Sequence, residues 1–238
     1  MFFLQKFLKI IKFILNEEKR NYILRYFWQF NLLKFYSTID ALYVKKSKKL
    51  LIFDLGSNVG QGFKFLYKNF NSKNVYFELF EPNPNCKKHL LKIPQIRKNL
   101  GKKIFIKNFG VYGGRRDKKL KFYGLDKNLE NNPTQDGSFV NGNQFVRKIT
   151  YVKVINFSDY LSKKLSYYKN NEIKILVKMD IEGSEILLLK DMIKRKTINL
   201  INILYVEFHN FNKNSEKEIN YIKNFIKKNT NIKLRPWF

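Results

Sequence analysis

The chain has 238 residues and a formal charge of +28, from 47 Lys and Arg against 19 Asp and Glu. Hydrophobic residues make up 44 % and aromatic residues 16 %, enough to bury a sizeable single-domain core and incompatible with wholesale disorder. Cys86 stands alone, which excludes an intrachain disulfide and a cysteine-cluster metal site and fits a reducing compartment.

A charge of this size ordinarily points to nucleic acid or an anionic membrane. Composition weakens the inference. Lys, Asn, Ile, Phe and Tyr abound while Ala occurs once, at Ala41, the vocabulary of an AT-rich coding sequence. Lys also greatly outnumbers Arg, whereas readers of bases and phosphates rely on the bidentate Arg fork.

Residues 1–15 are rich in Phe, Leu and Ile, but Lys6, Lys9 and Lys12 interrupt them. No apolar run approaches the roughly 20 residues of a spanning helix, and no small-residue cleavage site follows. A second helical pattern carries Tyr22, Ile23, Tyr26, Phe27, Phe30 and Leu33. Residues 1–48 therefore read as basic amphipathic helices. They are expected to pack as a layer on a cytoplasmic domain, with peripheral contact to a membrane surface as the alternative.

From Lys49 to the end, short β-type runs alternate with helical ones, predicting one doubly wound α/β domain with a mostly parallel sheet. Strands are expected at 50–54, 75–80, 104–109, 120–123, 149–155, 173–179, 201–208 and 232–238. Helices are expected at about 60–70, from Asn83 and Pro84 onward, after Ser158, at 184–196, and after Ser215, where Glu218 stands at capping-box spacing. A long polar stretch, 113–148, breaks the alternation. Within it, residues 131–138 are a candidate lid or a surface loop.

Three segments carry the chemistry. The first is FDLGSNVGQG, from Phe53 to Gly62, in which an apolar strand ends at Asp54 and a glycine turn opens a helix. Gly56 and Gly60 allow close backbone approach to a ligand, and free N–H groups at the helix start suit an anionic group. Asp54 is placed to face an ammonium group. A tight turn without a ligand is the structural alternative. The second is Glu81 in FELFEPNP, at the end of the second strand, placed to accept hydrogen bonds from a ribose diol and expected to lie outside the core. A surface acid paired with a lysine is its bland reading. Nicotinamide dehydrogenases use the same device, but the spacing of Gly56, Gly60 and Gly62 is not G-x-G-x-x-G. The third is KMDIEGSEILLL, with Asp180, Glu182 and Glu185 beyond a buried strand; Glu185 also suits a first helical turn for its dipole alone. YVEFH then places Glu207 and His209 at the end of the following strand.

Taken in order, DLGSNVGQG, FEPNP, KNFGVYG at 107–113, KMDIEGSEILLL and YVEFH resemble the FkbM family of methyltransferases, over about residues 50–209. The resemblance implies a class I, Rossmann-like fold with S-adenosylmethionine as cofactor. It also implies O-methylation of sugars, polyketide-derived molecules or other small metabolites. By similarity, Asp54, Gly56, Asn58 and Gly60, with Ser57 among them, would hold the methionine end. Glu81 would take the ribose, Asn108 to Val111, including Gly110, would lie near the adenine, and Asp180 would face methyl transfer. A class I sheet usually finishes with an antiparallel hairpin, whereas here there is room for one strand, 232–238.

Methyl transfer to a hydroxyl needs an aligned acceptor and a place for its proton. His209 is one candidate base, with activity then rising through a pKa near 6.5; Asp180 and Glu182 are the others. A divalent metal on Asp180, Glu207 and His209 is a variant. The expected partner is a small-molecule or glycan acceptor. A nucleic-acid methyltransferase is disfavoured, because no N-P-P-Y-like tetrapeptide follows the fourth strand and Cys86 has no evident role as a C5 nucleophile. A non-catalytic binding protein sits poorly with the joint presence of Asp54, Glu81, Asp180 and Glu182.

Overall fold

The computed structural model describes residues 17–114, 119–123, 149–168, 173–210 and 214–238. The first predicted helix and the candidate lid lie outside them. In chain order the elements are α1 (Glu17–Val44), β1 (Lys49–Leu55), α2 (Gln61–Phe70), β2 (Val75–Phe80), α3 (Pro84–Lys92), α4 (Pro94–Asn99), β3 (Ile104–Lys107), β4 (Gly110–Tyr112), β5 (Lys119–Tyr123) and β6 (Ile149–Asn156). They continue with α5 (Phe157–Leu165), β7 (Ile173–Met179), α6 (Glu185–Lys194), a 3-10 turn (Thr197–Leu200), β8 (Ile203–Val206), α7 (Ser215–Asn229) and β9 (Lys233–Pro236).

The main sheet has six strands in the order β3-β2-β1-β7-β8-β9, and every neighbouring pair is parallel. Period-two alternation explains why helices cover both faces. Along β1, Leu51, Phe53 and Leu55 enter the core shared with Phe157 and Leu161 of α5, Leu188 of α6 and Ile222 of α7. Leu50 and Ile52 point the other way, into the core shared with Leu33 of α1, Phe63 and Leu66 of α2, and Leu90 of α3. A strand buried on both faces reads as a near-continuous apolar run, which is how β1 and β7 announce themselves in sequence. Each such side chain contributes about 1.5–3 kcal/mol of burial free energy. The fold is therefore doubly wound and Rossmann-like, as expected.

Local signals set several boundaries. The Asn83 side chain accepts a hydrogen bond from the Asn85 N–H at 2.9 Å, and Pro84 begins α3. Helix α5 starts before Ser158, because Asn156 is its cap and accepts from the Asp159 N–H at 3.0 Å. The capping box expected at Ser215 and Glu218 does not form. Asn214 occupies the cap position without a side-chain cap bond, and Glu218 pairs with Lys190 at 2.7 Å. The predicted third strand, 104–109, is shorter: β3 stops at Lys107, and β4, which begins at Gly110, lies outside the main sheet and pairs parallel with β6. Strand β6 also pairs antiparallel with β5, making a small mixed sheet around Phe122, Val152 and Val154.

The expected last strand is present as β9, but the sheet does not finish as a class I sheet usually does. Strand β9 runs parallel to β8, not as one arm of an antiparallel hairpin. Helix α7 carries the chain back along the sheet, so the strand that follows it starts from the same end as β8.

Helix α1 is one helix through residue 44, seated on the domain through Leu33, Ser37, Asp40 and Val44. Asp40 is fully buried. Arg235 of β9 clamps it with two hydrogen bonds of 2.9 Å, and the Tyr205 hydroxyl of β8 donates a third at 2.9 Å. This charge-assisted network fastens α1 to the far edge of the sheet.

Candidate functional site

In a doubly wound sheet the connections from two neighbouring strands leave toward opposite faces at one point, opening a crevice beyond their carboxyl ends. Here that point lies between β1 and β7. A cleft open to solvent sits there, lined by Gly56 and Asn58 after β1, Glu81 after β2, and Asp180 and Glu182 after β7. Phe80, Val111 and Phe122 give it apolar surface, with Phe122 contributed by the small mixed sheet.

The glycine turn serves packing as much as ligand access. Gly56 has φ +78°, and a Cβ there would lie 1.8 Å from the Asp180 carbonyl oxygen, so only glycine lets the loops after β1 and β7 meet. Gly60, at φ +96°, would drive a Cβ to 2.5 Å from the Ile93 side chain. Gly60 therefore lets the start of α2 press on the end of α3, and it is not among the cleft residues. Ser57 is buried too, its hydroxyl donating to the Asp54 carbonyl at 2.9 Å.

Glu81 is 7 % exposed, which corrects the expectation that a strand-end acid lies outside the core. Its two oxygens accept the backbone N–H groups of Asn58 and Asn83, each at 2.8 Å. The carboxylate thus ties the turn after β1 to the cap of α3, and each oxygen keeps a lone pair. Burial pushes its pKa up to about 7, against the lowering effect of the two N–H groups and of Lys178. Asn108, expected near the adenine, braces this corner from behind, its amide reaching the carbonyls of Glu81 and Pro82 at 3.4 and 3.3 Å. Gly110 and Val111 do line the cleft. Cys86 lines it as well, but burial and the Glu81 charge push its thiol pKa upward, away from nucleophilic use.

Beneath the cleft lies a group that sequence reasoning missed. Lys178 is 2 % exposed, and its ammonium stands 3.2 Å from Asp54 and 3.3 Å from Asp180 while donating to the Gly56 carbonyl at 2.7 Å. Asp54, expected to face a ligand ammonium, is wholly buried against this lysine and does not reach the cleft. Burial raises the Asp54 pKa and Lys178 opposes the rise. A lysine inside the apolar run ILVKMD was the available signal.

After β7 the chain turns tightly, with Glu182 at φ +52° and Gly183 at φ +98°. The fully buried Glu185 carboxylate holds the turn by accepting the N–H groups of Ile181 at 2.8 Å and Gly183 at 3.0 and 3.2 Å. It also holds His209 Nδ1 at 3.1 Å. The other ring nitrogen lies 3.4 Å from Glu182 and 3.9 Å from Glu207. Burial alone would lower the His209 pKa; the Glu185 hydrogen bond and charge, with Glu182 and Glu207, raise it to about 9. The imidazole is therefore protonated near neutrality, not poised near pH 6.5.

Asp180, Glu182 and His209 each offer one donor atom, all within 4.8 Å of one another. This geometry puts Glu182 where Glu207 was expected in a candidate metal set. A divalent cation accepts such mixed O and N donors.

The whole arrangement falls within one recognised family. Residues 54–232 match the family model described as the methyltransferase FkbM domain. No curated protein matches the chain in sequence. Among solved structures, the chain is similar to the crystal structure of methyltransferase FkbM from Methylobacillus flagellatus KT, at 15 % sequence identity and a TM-score of 0.40. That match covers 75 % of this chain and 37 % of the other, so the chain spans little more than a third of that protein's length. The matched segment runs from Asp54 to Ile232 and takes in each site residue described above, and the chain belongs to the FkbM methyltransferase family.

Proposed function

We propose that the protein transfers a methyl group from S-adenosylmethionine to an oxygen, the hydroxyl of a sugar, glycan or other small metabolite. One observation carries the reading: a single cleft is lined at once by the buried Glu81 carboxylate and by Asp180 and Glu182. The family generally uses S-adenosylmethionine, and the residues present fit it. Glu81 retains lone pairs for a ribose diol, Phe80, Val111 and Phe122 offer apolar surface for a purine, and the Gly56 backbone borders the cleft.

When bound, that cofactor supplies a methyl group already activated on a sulfonium. The protein's part is to orient the acceptor hydroxyl and receive its proton. Asp180 is the assigned proton acceptor, since it lines the cleft while His209 already carries a proton among its carboxylate neighbours. Glu182, on the strained turn, orients the acceptor. The test is mass spectrometry of products formed from isotopically labelled methyl donor and a panel of glycan and metabolite hydroxyl compounds. Label on a hydroxyl oxygen supports the reading; label found only on nucleic acid or on nitrogen contradicts it.

A second reading has a divalent cation on Asp180, Glu182 and His209 that acidifies the hydroxyl, favoured by the convergence of their donor atoms. Loss of activity in EDTA and its return with Mg²⁺ or Mn²⁺ selects this variant over the metal-free one.

The raised pKa of Glu81 predicts how binding responds to pH. Ribose hydroxyls donate to the ionised carboxylate, and at a pKa of about 7 the ionised fraction falls below neutrality. S-adenosylhomocysteine should therefore bind about tenfold more weakly at pH 6 than at pH 8. The same ratio is expected to vanish in Glu81→Gln, which has no such proton to lose. A flat profile in the wild type would remove Glu81 from the binding site.

A further inference from the structure

Helix α1 has a second apolar stripe that the domain does not use. Trp28, Leu32, Phe35, Ile39 and Leu42 follow one another at spacings of four and three residues, so they share one face. That face lies opposite Leu33, Ser37, Asp40 and Val44, the residues seated on the domain. All five are exposed; Trp28 is 68 % and Leu42 65 % exposed. Ahead of Leu33 the helix also exposes Tyr26, Phe27 and Phe30. A contiguous exposed apolar stripe of this kind marks a contact surface.

Charge selects the occupant. The stripe ends at a cluster of exposed lysines, Lys45, Lys46 and Lys48, and Lys34 is exposed along the helix. Lys174 and Lys233 add further charge over the Tyr43 ring. From residue 25 to the end of α1 the only acid is Asp40, which is buried against Arg235. The sequence ahead of α1 contributes Lys6, Lys9 and Lys12 among Phe, Leu and Ile. A second copy would bring two chains of formal charge +28 together, whereas a negatively charged bilayer surface complements that charge. No helix among the described residues is long and apolar enough to cross a membrane. Trp, Tyr and Phe above a basic rim suit the interfacial layer of a bilayer, where apolar side chains enter and lysines meet headgroups.

We propose that the outer face of α1 docks the protein on anionic lipid bilayers, lying in the interface with Trp28, Phe35 and Leu42 inserted and the Lys45–Lys48 cluster against the headgroups. The surface is separate from the cleft, so the proposal stands independently of the methyl-transfer reading.

The test is flotation of the full chain with phosphatidylcholine vesicles and with phosphatidylcholine–phosphatidylserine vesicles. The chain should float with the second far more than with the first. The combined variant W28S/F35S/L42S should bind at least about tenfold more weakly with an unchanged melting temperature, since its changed side chains are exposed. Lys45→Gln, Lys46→Gln and Lys48→Gln together should weaken binding and reduce its salt sensitivity. In the wild type, anionic vesicles should shift Trp28 fluorescence to the blue against a constant signal from Trp237, which is 8 % exposed. That reading holds even where a variant folds poorly. The proposal is overturned if the chain ignores anionic vesicles or if the serine variant floats undiminished, as it would were adsorption by charge or by residues 1–15 responsible. A stable dimer that the serine variant dissociates, without vesicle binding, assigns the stripe to a second copy and equally overturns it.

Discussion

Asp180→Asn is expected to lower methyl transfer by at least about 10²-fold, while S-adenosylhomocysteine affinity changes by less than about tenfold. The substitution keeps size and polarity but removes the proton-accepting charge. Asp180 leaves β7 at the switch point, lines the cleft, and is held 3.3 Å from the Lys178 ammonium. His209 offers no substitute base at neutral pH, because its neighbours hold it protonated up to about pH 9. Steady-state kinetics on an identified acceptor, paired with calorimetry for the cofactor product, separates the two quantities. Near-normal turnover in the variant would place the chemistry elsewhere in the cleft.

The second large effect concerns stability. Lys178→Met should destabilise the fold by about 3–5 kcal/mol, because it leaves a buried carboxylate without its cation. Asp54 is fully buried, and the lysine 3.2 Å away is the largest influence that lowers its pKa. Without Lys178 the Asp54 pKa rises further, so the folded state binds its proton at higher pH than the unfolded state does. Such a group gives back stability as pH falls, and the deficit of the variant should shrink between pH 8 and pH 5. Urea denaturation at both pH values measures this, and Asp54→Asn in the same chain should recover part of the loss. A variant as stable as the wild type at pH 8 would show that the pair does not hold the two loops together.

What could be read from the sequence divides along a physical line. The buried strands β1 and β7 were legible because a two-faced strand leaves a continuous apolar run, and α3 because Asn83 and Pro84 form a local cap. The motif residues around the cleft were legible because each lies at a strand end. Partnerships across the chain were not. Lys178 acts on Gly56, 122 residues earlier, and a lysine inside an apolar run signals burial without naming its partners. Glu185 could be justified by the helix dipole alone, which concealed its hold on the turn and on His209. Glu81 was read as a ligand contact, and its part in tying two loops together emerged only with the N–H groups of Asn58 and Asn83 in view. The pairing of β9 depends on the path of α7 across the sheet, which periodicity does not encode.

Calorimetric titration of the purified 238-residue chain with S-adenosylhomocysteine, and separately with NAD, tests the central claim most directly. The account predicts saturable binding of S-adenosylhomocysteine on the micromolar scale, NAD at least about tenfold weaker, and a loss of about 1–3 kcal/mol in the first on Glu81→Ala. Preference for NAD, or no binding of S-adenosylhomocysteine at pH 8 by a folded chain, would contradict it.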